Sequence, residues 1–478
     1  MKHGSPAGSL QVLSGANVER IHQASLALLQ DPGIHSSSDL FLDILARGGA
    51  CVDRAARVIH VPPGMVEAAL KLAPKSFTVY GLHPEMDLLV EQGRVYYGAG
   101  GTSEPYFYDY ALGRPRRPAK ADMVAGTRLA EALPNIDFVM AMCSSGDVPA
   151  DKVFFHDTDA ILRNTTKPTH ISVVGRRATR QCLEMVAAAS GGETAFRRRP
   201  RGMAMVSAVS PLRVTGLNEG IVDVIEFGVP VLYGNGPLLG TTCPVTLAGA
   251  LALSMAECLF GLVLVQLIQP GAPVIWSPNT NAMDPTIWQN TYGSPEQALG
   301  KAAMAQMGRF YGMPTFTMGG GVEAKCPDPH AAAEAMLGML LNSLAGVTLS
   351  QSLGTLSSGA YGSLEFLMIS DEMAHMVKRI LNGMAVNEDT LGLDVIRSVG
   401  HFGNFMTEEH TLRHFKHELF FPQLFRRDTI ENWVNRGAHS IVEVAHERVE
   451  QILAHAGPVT LPAGADGELE QKLREAMQ

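Results

Sequence analysis

Basic residues are missing from one long sector of this chain: between Arg213 and Lys301 there is neither Lys nor Arg. The same sector holds the apolar run "PVTLAGALALSMAECLFGLVLVQLI" (244–268), whose single charge is Glu257. A helix of about 20 residues is long enough to cross a bilayer. Spanning helices, however, are oriented by Lys and Arg beside their ends, and neither flank supplies one. No second run of that length occurs, so the stretch is expected to be a helix buried inside protein, with no membrane partner. An excess of positive charge is also lacking. The formal net charge is −9, which argues against nucleic acid as a partner, because phosphate binding needs a basic surface. Arg197-Arg198-Arg199-Pro200-Arg201 is a local exception and reads either as a solvated loop or as a docking patch for an acidic protein. Cysteines are few and scattered (Cys51, Cys143, Cys182, Cys243, Cys258, Cys326), with no CxxC or CxC pair. That spacing excludes a thiolate zinc site and suits reduced thiols in a cytoplasmic protein. The opening "MKHGSPAGSL" has no apolar stretch of the kind an export signal carries.

What the chain does have is a rhythm. From about residue 135, short apolar runs alternate with polar or glycine-rich breaks and helical stretches: "DFVMAMC" (137–143), "THISVV" (169–174), "MAMVSAV" (203–209), "VPVLY" (229–233), "PVIW" (273–276), "PTFTM" (314–318) and "GVTLS" (346–350). Most lack polar alternation, as expected of parallel strands covered on both faces. Seven βα units in series favour an α/β fold of the (β/α)8 type over a doubly wound sheet, with the eighth strand not evident. The expected organisation is an N-terminal α+β cap (1–134), the barrel (135–400) and a C-terminal helical extension (401–478). Within the cap, 16–30, 38–48 and the stretch after "VPP" read as helices, while "LLVEQGRVYYGAGG" and "YFYDYALGRPRRP" read as hairpins. Residues 407–455 read as helical and the tail from Gly457 as loosely held.

In such a fold the chemistry gathers where strands end. The strand ends read "CSSGD" (143–147), "GRR" (175–177), "SPLR" (210–213), "GNGP" (234–237), "SPNTN" (277–281), "GGGVEAK" (319–325) and "SQSLG" (350–354). They are polar but short of titratable groups. Gly234-x-Gly236-x-x-x-Gly240 has the wrong spacing for a dinucleotide loop and reads as a tight turn. His410, His414 and His417 share helical spacing and would suit a metal, although the pattern is not HExxH. Aromatic residues make up 6% of the chain, yet Tyr97, Tyr233, Trp276, Phe316, Phe402 and Phe405 fall at or near strand ends. Rings around a cavity can hold a quaternary ammonium, and a sector without Lys or Arg would not repel one.

The segments "APKSFTVYG", "LPNIDF", "ILRNTTKP", "GPLLGTTCPVTLAGALALSMAE", "QPGAPVIW", "GSPEQALGKAAMAQMGRFYGMP", "DEMAHMVKRILNG", "LGLDVI" and "HTLRHFKHELFFPQL", in this order, closely resemble the trimethylamine methyltransferase family from about residue 14 to 455. The resemblance implies a (β/α)8 barrel that moves a methyl group from a methylated amine to the Co(I) of a corrinoid, a cobalamin carried by a separate cognate protein. Trimethylamine enzymes of the family carry pyrrolysine. This chain is written in the twenty ordinary residues, including "GGGVEAKCPDP", where that position falls. It therefore resembles the pyrrolysine-lacking members that act on quaternary amines, with glycine betaine favoured. "VGHFGNFM" and "SQSLGTLSSG" depart from the family pattern, which bears on the substrate rather than the fold.

On this reading the expected site is an aromatic wall (Tyr97, Tyr233, Trp276, Phe316, Phe402), polar groups at strand ends (Ser210, Asn235, Asn279, Gln351), and Glu323 with His401 as catalytic candidates near the mouth. A betaine carboxylate would take a donor such as His401, Gln351 or Asn279. The cap and the Arg197–Arg201 run are candidate docking places for the corrinoid protein, and a homo-oligomer is expected. Two rival readings stay open: a non-catalytic barrel that binds quaternary amines, and a metal-dependent hydrolase built on His410, His414 and His417.

Overall fold

The computed structural model describes residues 5, 6, 8, 10–101 and 104–478. Eight strands carry the framework: β1 (Arg94–Ala99), β2 (Phe138–Val139), β3 (His170–Ser172), β4 (Met203–Ser207), β5 (Val231–Gly234), β6 (Val274–Ser277), β7 (Phe316–Met318) and β8 (Leu349–Leu353). All seven apolar runs become strands. They pair in parallel in two sheets, ordered β2–β1–β8–β7 and β3–β4–β5–β6. Parallel bridges join the sheets at both edges, Val139 to Thr169 and Trp276 to Thr315.

The missing eighth strand is β1, and it lies within the sequence assigned to the cap. "LLVEQGRVYYGAGG" does not close on itself as a hairpin. Its first half, Leu88–Glu91, pairs antiparallel with Ser76–Val79, and its second half is β1, parallel to β2 and β8. The run "VYYGAG" gives the reason, because it is buried on both faces like the other parallel strands and lacks the polar alternation of a solvated hairpin. "YFYDYALGRPRRP" does form its hairpin, Tyr106–Asp109 against Arg114–Arg116.

Strand register sorts side chains into two sets. Tyr96, Phe138, Met203, Leu232, Ile275, Phe316 and Leu349, drawn from both sheets, pack together on the inner face. Their neighbours along the strands, such as Tyr97, Val206, Tyr233 and Trp276, point outward into the helical layer. Outside lies the apolar helix Leu247–Ile268, which is buried without a break from Ala250 to Gln266. Strands β5 and β6 cover one side of it, and helices Gly15–Gln30, Asp39–Arg47 and Pro63–Leu72 cover another, so it is apolar all round without a membrane.

Two C-terminal expectations change. The tail is not loose: helix Ala465–Met477 buries Ala465, Leu469, Leu473 and Ala476 and packs on helix Gly175–Ala189. Residues 407–455 are not continuously helical, but break into Glu409–Glu418, Ile430–Asn435 and Ile441–His455.

Candidate functional site

The upper half of the inner face stays accessible. Met205, Ser207, Ser172 and Met318 point inward and are half-buried, while Ile171, Val206 and Thr317 between them are fully covered by the helical layer. The inner face is therefore less tightly packed toward the strand C-termini than at its base. Glycine lets rings pack close against the strand and loop backbone: a Cβ on Gly98 would sit 2.1 Å from the Phe138 ring, and one on Gly321 would sit 2.9 Å from the Tyr292 ring.

Over β7, β8 and β1 the mouth is acidic. Glu323, five residues beyond β7, accepts the Tyr292 backbone N–H at 2.5 Å, and Ser358 Oγ lies 2.7 Å from each of its carboxylate oxygens. Glu104, buried in the loop beyond β1, folds back against Gly101. Tyr292 lies near both acids. Burial first, and then the Glu104 and Glu323 carboxylates, push its hydroxyl up to about 12. Lys301, on helix Pro295–Tyr311, sits beneath with its Nζ 5.8 Å from the Tyr292 ring centroid. It donates to the Met318 carbonyl at 2.5 Å and the Tyr292 carbonyl at 3.5 Å, tying β7 to the loop that carries the tyrosine. Burial lowers the Lys301 ammonium to about 7, against the raising effect of Glu323. Gln351 faces inward from β8, buried, with its side-chain oxygen free of any hydrogen-bond partner.

Ser210, Asn235 and Asn279 do come together, but on one another. Glu257 of the long helix accepts Ser210 Oγ (2.8 Å), the Leu212 N–H (2.7 Å) and Asn235 Nδ2 (2.7 Å). Asn235 Oδ1 accepts from Ser254 Oγ and the Asn279 N–H, and Asn279 Oδ1 accepts from Thr317 Oγ1. One buried network thus locks the ends of β4, β5, β6 and β7, and its hydrogen-bonding capacity is spent internally. Burial is the largest influence on Glu257 and raises its carboxyl above the ordinary range.

The aromatic wall does not assemble. Tyr97 turns outward, its hydroxyl 2.7 Å from Ser343 Oγ. The Tyr233 ring packs where a Cβ on Gly261 would lie. Trp276 stacks edge-on with Tyr311 at 5.0 Å in the helical layer. Phe316 points inward but packs at the base, 6.3 Å from Phe138. Phe402 and His401 stand exposed in segment 382–423, far from the role expected of them. That segment is tethered to the C-terminal end of helix Leu364–Leu381 through Arg379 Nη2, which donates to the Glu418 carbonyl at 2.9 Å, and through Phe420 against His375 at 4.6 Å. The same helix end reaches Asn135 and Asp137, which lead into the start of β2. The segment therefore hangs from the end of the strands opposite the mouth.

The other candidates are likewise displaced. Arg201 is buried with Nη2 on the Thr165 carbonyl, and Arg199 pairs with buried Asp87 at 2.7 Å, so the second half of the arginine run is a structural clamp just before β4, while Arg197 and Arg198 stay exposed at the end of helix Glu193–Arg198. His410 and His414 gather with Asp389, without His417. The Arg413 guanidinium lies 3.0 Å from Asp389 and holds its carboxyl below the usual range, so a cation already occupies that charge. Glu104, Tyr292, Lys301 and Ser358 were missed by sequence reasoning. Lys301 lay within a segment already noted for its resemblance and Tyr292 one residue before it, but no spacing rule marks them.

A family model described as "Trimethylamine methyltransferase (MTTB)" matches residues 3–476. A trimethylamine methyltransferase MttB from Desulfitobacterium hafniense is 32% identical over 92% of this chain and 89% of its own length. A glycine betaine methyltransferase from another strain of that organism is 29% identical over 96% and 95%. Among solved structures, the monomethylamine methyltransferase MtmB of Methanosarcina barkeri superposes with a TM-score of 0.51 at 12% identity, covering 96% of each chain, which is a likeness of fold alone.

Proposed function

Because the chain belongs to the trimethylamine methyltransferase family and is a methyltransferase, we propose that it takes a methyl group from a quaternary amine of the betaine class, glycine betaine favoured, for transfer to a corrinoid held by a separate protein. The observation that carries the substrate class is the acidic mouth, where Glu323 accepts the Tyr292 N–H and both Glu323 and Glu104 lie close enough to raise the half-buried Tyr292 hydroxyl. Acid and ring together favour a small organic cation. Lys301 opposes it only weakly, since burial lowers its ammonium to about 7 and its Nζ is held on two backbone carbonyls. We also read the eight parallel strands as one closed (β/α)8 barrel, a reading supported by the two edge bridges and the core shared between the sheets. The division at 134 and 400 is kept, with β1 lent from the first region to the barrel. Six free cysteines support a cytoplasmic setting.

The residues present suit this chemistry. A quaternary nitrogen departs as a neutral tertiary amine, so the chain needs no nucleophile and no acid of its own. When docked, the corrinoid supplies a Co(I) nucleophile that accepts the methyl group. The protein's part is to hold the cation, point one N-methyl group outward and exclude water. Tyr292 and the two acids would hold the nitrogen. Gln351, with its amide turned to present NH2, would take the betaine carboxylate, replacing His401 and Asn279 in that role. Glu323 is a binding group here, not an acid catalyst.

The test is an anaerobic absorbance assay with cob(I)alamin and, in turn, glycine betaine, proline betaine, carnitine, γ-butyrobetaine, choline and trimethylamine. Methylcobalamin formed with a betaine is expected. Methylation from trimethylamine alone would overturn the substrate class. Calorimetric binding of a betaine without methylation, even with a cognate corrinoid protein present, would favour the binding-only reading.

A further inference from the structure

His170 opens β3 and is the one histidine on the eight strands. Register sets its direction. It pairs with Met203, which belongs to the inner face, while its neighbour Ile171 packs outward into the helical layer. The imidazole therefore enters the interior two residues below Ser172, roughly 7 Å deeper along the strand. Thr169 and Ile171 are fully covered, but His170 stays half-buried, and its Nε2 is enclosed without a hydrogen-bond partner among the described residues. An enclosed ring nitrogen left unpaired is costly, and the inner face offers little to pair it: Met140, Met203, Leu232 and Phe316 are apolar, and the Tyr96 hydroxyl donates to the Leu89 carbonyl at 2.9 Å. Charges are also turned away. Lys167, just before β3, is held on the Ala130 and Leu133 carbonyls, and Arg201, just before β4, on the Thr165 carbonyl. Burial by itself lowers the imidazole to about 4, so the ring is neutral at pH 7.

We infer that His170 is a substrate-binding group which, together with Gln351, receives the carboxylate end of the betaine. This rests on the proposed function and extends it to the opposite end of the same ligand. Glu104, Glu323 and Tyr292 stand at the mouth and suit the ammonium end. A betaine held there with an N-methyl group outward points its carboxylate down between the strands. Gln351 faces inward from β8 and His170 from β3, and the interior of eight closed strands is about as wide as the side chains that fill it, so groups from the two sides can meet on one small ligand. An amide alone would leave a desolvated carboxylate without a countercharge, which is unfavourable. The imidazole supplies that charge by gaining one proton from solvent as the betaine enters, while the ligand itself is unchanged.

The test is calorimetric titration of the full chain at pH 6 in two buffers of different ionisation enthalpy, with glycine betaine, γ-butyrobetaine and tetramethylammonium. Close to one proton taken up with a betaine is expected, and none with tetramethylammonium, which has no carboxylate. Relative to His170→Gln, wild-type affinity for the betaine should fall by up to about tenfold per unit as pH rises from 6 to 8. That comparison cancels Glu104 and Glu323 at the mouth and Lys301, which burial lowers to about 7. His170→Gln and His170→Leu should each bind the betaine about 10- to 100-fold more weakly and without the extra proton, while keeping the tetramethylammonium affinity and the melting temperature of wild type. A histidine that only supported the fold would lower the melting temperature and weaken both ligands alike, which overturns the inference. Proton uptake equal in wild type and His170→Gln, or unchanged betaine affinity in both variants, overturns it too and leaves the betaine activity standing. A chain that neither binds nor methylates any betaine overturns the proposed function, and this inference with it.

Discussion

Replacing Glu257 by alanine tests whether the strand ends are held by the buried network. The change removes one acceptor from three donors: Ser210 Oγ–H, the Leu212 N–H and Asn235 Nδ2–H, all within 2.8 Å. The Ser210 hydroxyl can rotate to another partner, but the Leu212 N–H and the Asn235 amide cannot both do so. Each stranded buried donor costs about 1–3 kcal/mol, partly offset because a carboxyl whose burial is unfavourable has gone. A net loss of about 3 kcal/mol follows. Unfolding entropy of about 2.1 cal/mol/K per residue gives a chain of this length roughly 1 kcal/mol/K, so calorimetry at pH 7 should show the transition about 3 °C lower. Glu257→Gln keeps one acceptor but turns an NH2 toward a donor, and should lose about half as much. The pH dependence separates the two explanations. The folded carboxyl is raised, so folding binds this proton more tightly; relative to Glu257→Gln, wild-type stability should fall as pH rises from about 4.5 through the raised value. An alanine variant melting within 1 °C of wild type would refute the claim that the network bears on stability.

Tyr292→Leu should weaken betaine binding about 2- to 30-fold by calorimetry, the span of a cation–π contact worth roughly 0.5–2 kcal/mol, whereas Tyr292→Phe should bind nearly as wild type. Trp276→Phe should lower thermal stability but leave betaine affinity unchanged, because its ring faces Tyr311 and not the inner face of the strands; a lost affinity would place the ring in the site after all. Lys301→Met offers a pH test. The Lys301 ammonium is lowered to about 7 by burial, so the folded state gives up this proton before the unfolded chain does. Wild-type stability should rise relative to the methionine variant between pH 7 and about 10.5, and a flat difference across that window in paired denaturant titrations would remove Lys301 from its buried position.

Strand positions were readable because burial on both faces leaves a composition signal. Each of the seven apolar runs became a strand, and Glu257 stood out as the lone charge of its helix. The eighth strand escaped because "RVYYGA" follows a turn-forming "EQG" and mimics half of a hairpin. The site was read less well. Of the predicted residues, Glu323 and Gln351 line the mouth, Ser210, Asn235 and Asn279 form its support, and the rings of Tyr97, Tyr233 and Trp276 belong to the helical layer.

What the sequence by itself determined is local in kind: the apolar strands, the helix that needs no membrane, the order of βα units and the family. Those follow from composition and short-range periodicity, which survive without knowledge of neighbours. Which side of a strand a ring faces did not follow. Side chains alternate every residue, so Tyr96 is core and Tyr97 is helical layer, and nothing inside a run buried on both faces distinguishes them. The convergence of Glu104, Tyr292, Lys301 and Glu323, drawn from three separate stretches, and the exposure of segment 382–423 at the opposite end, were decided by the tertiary structure, because they are set by where distant segments cross rather than by what any segment contains.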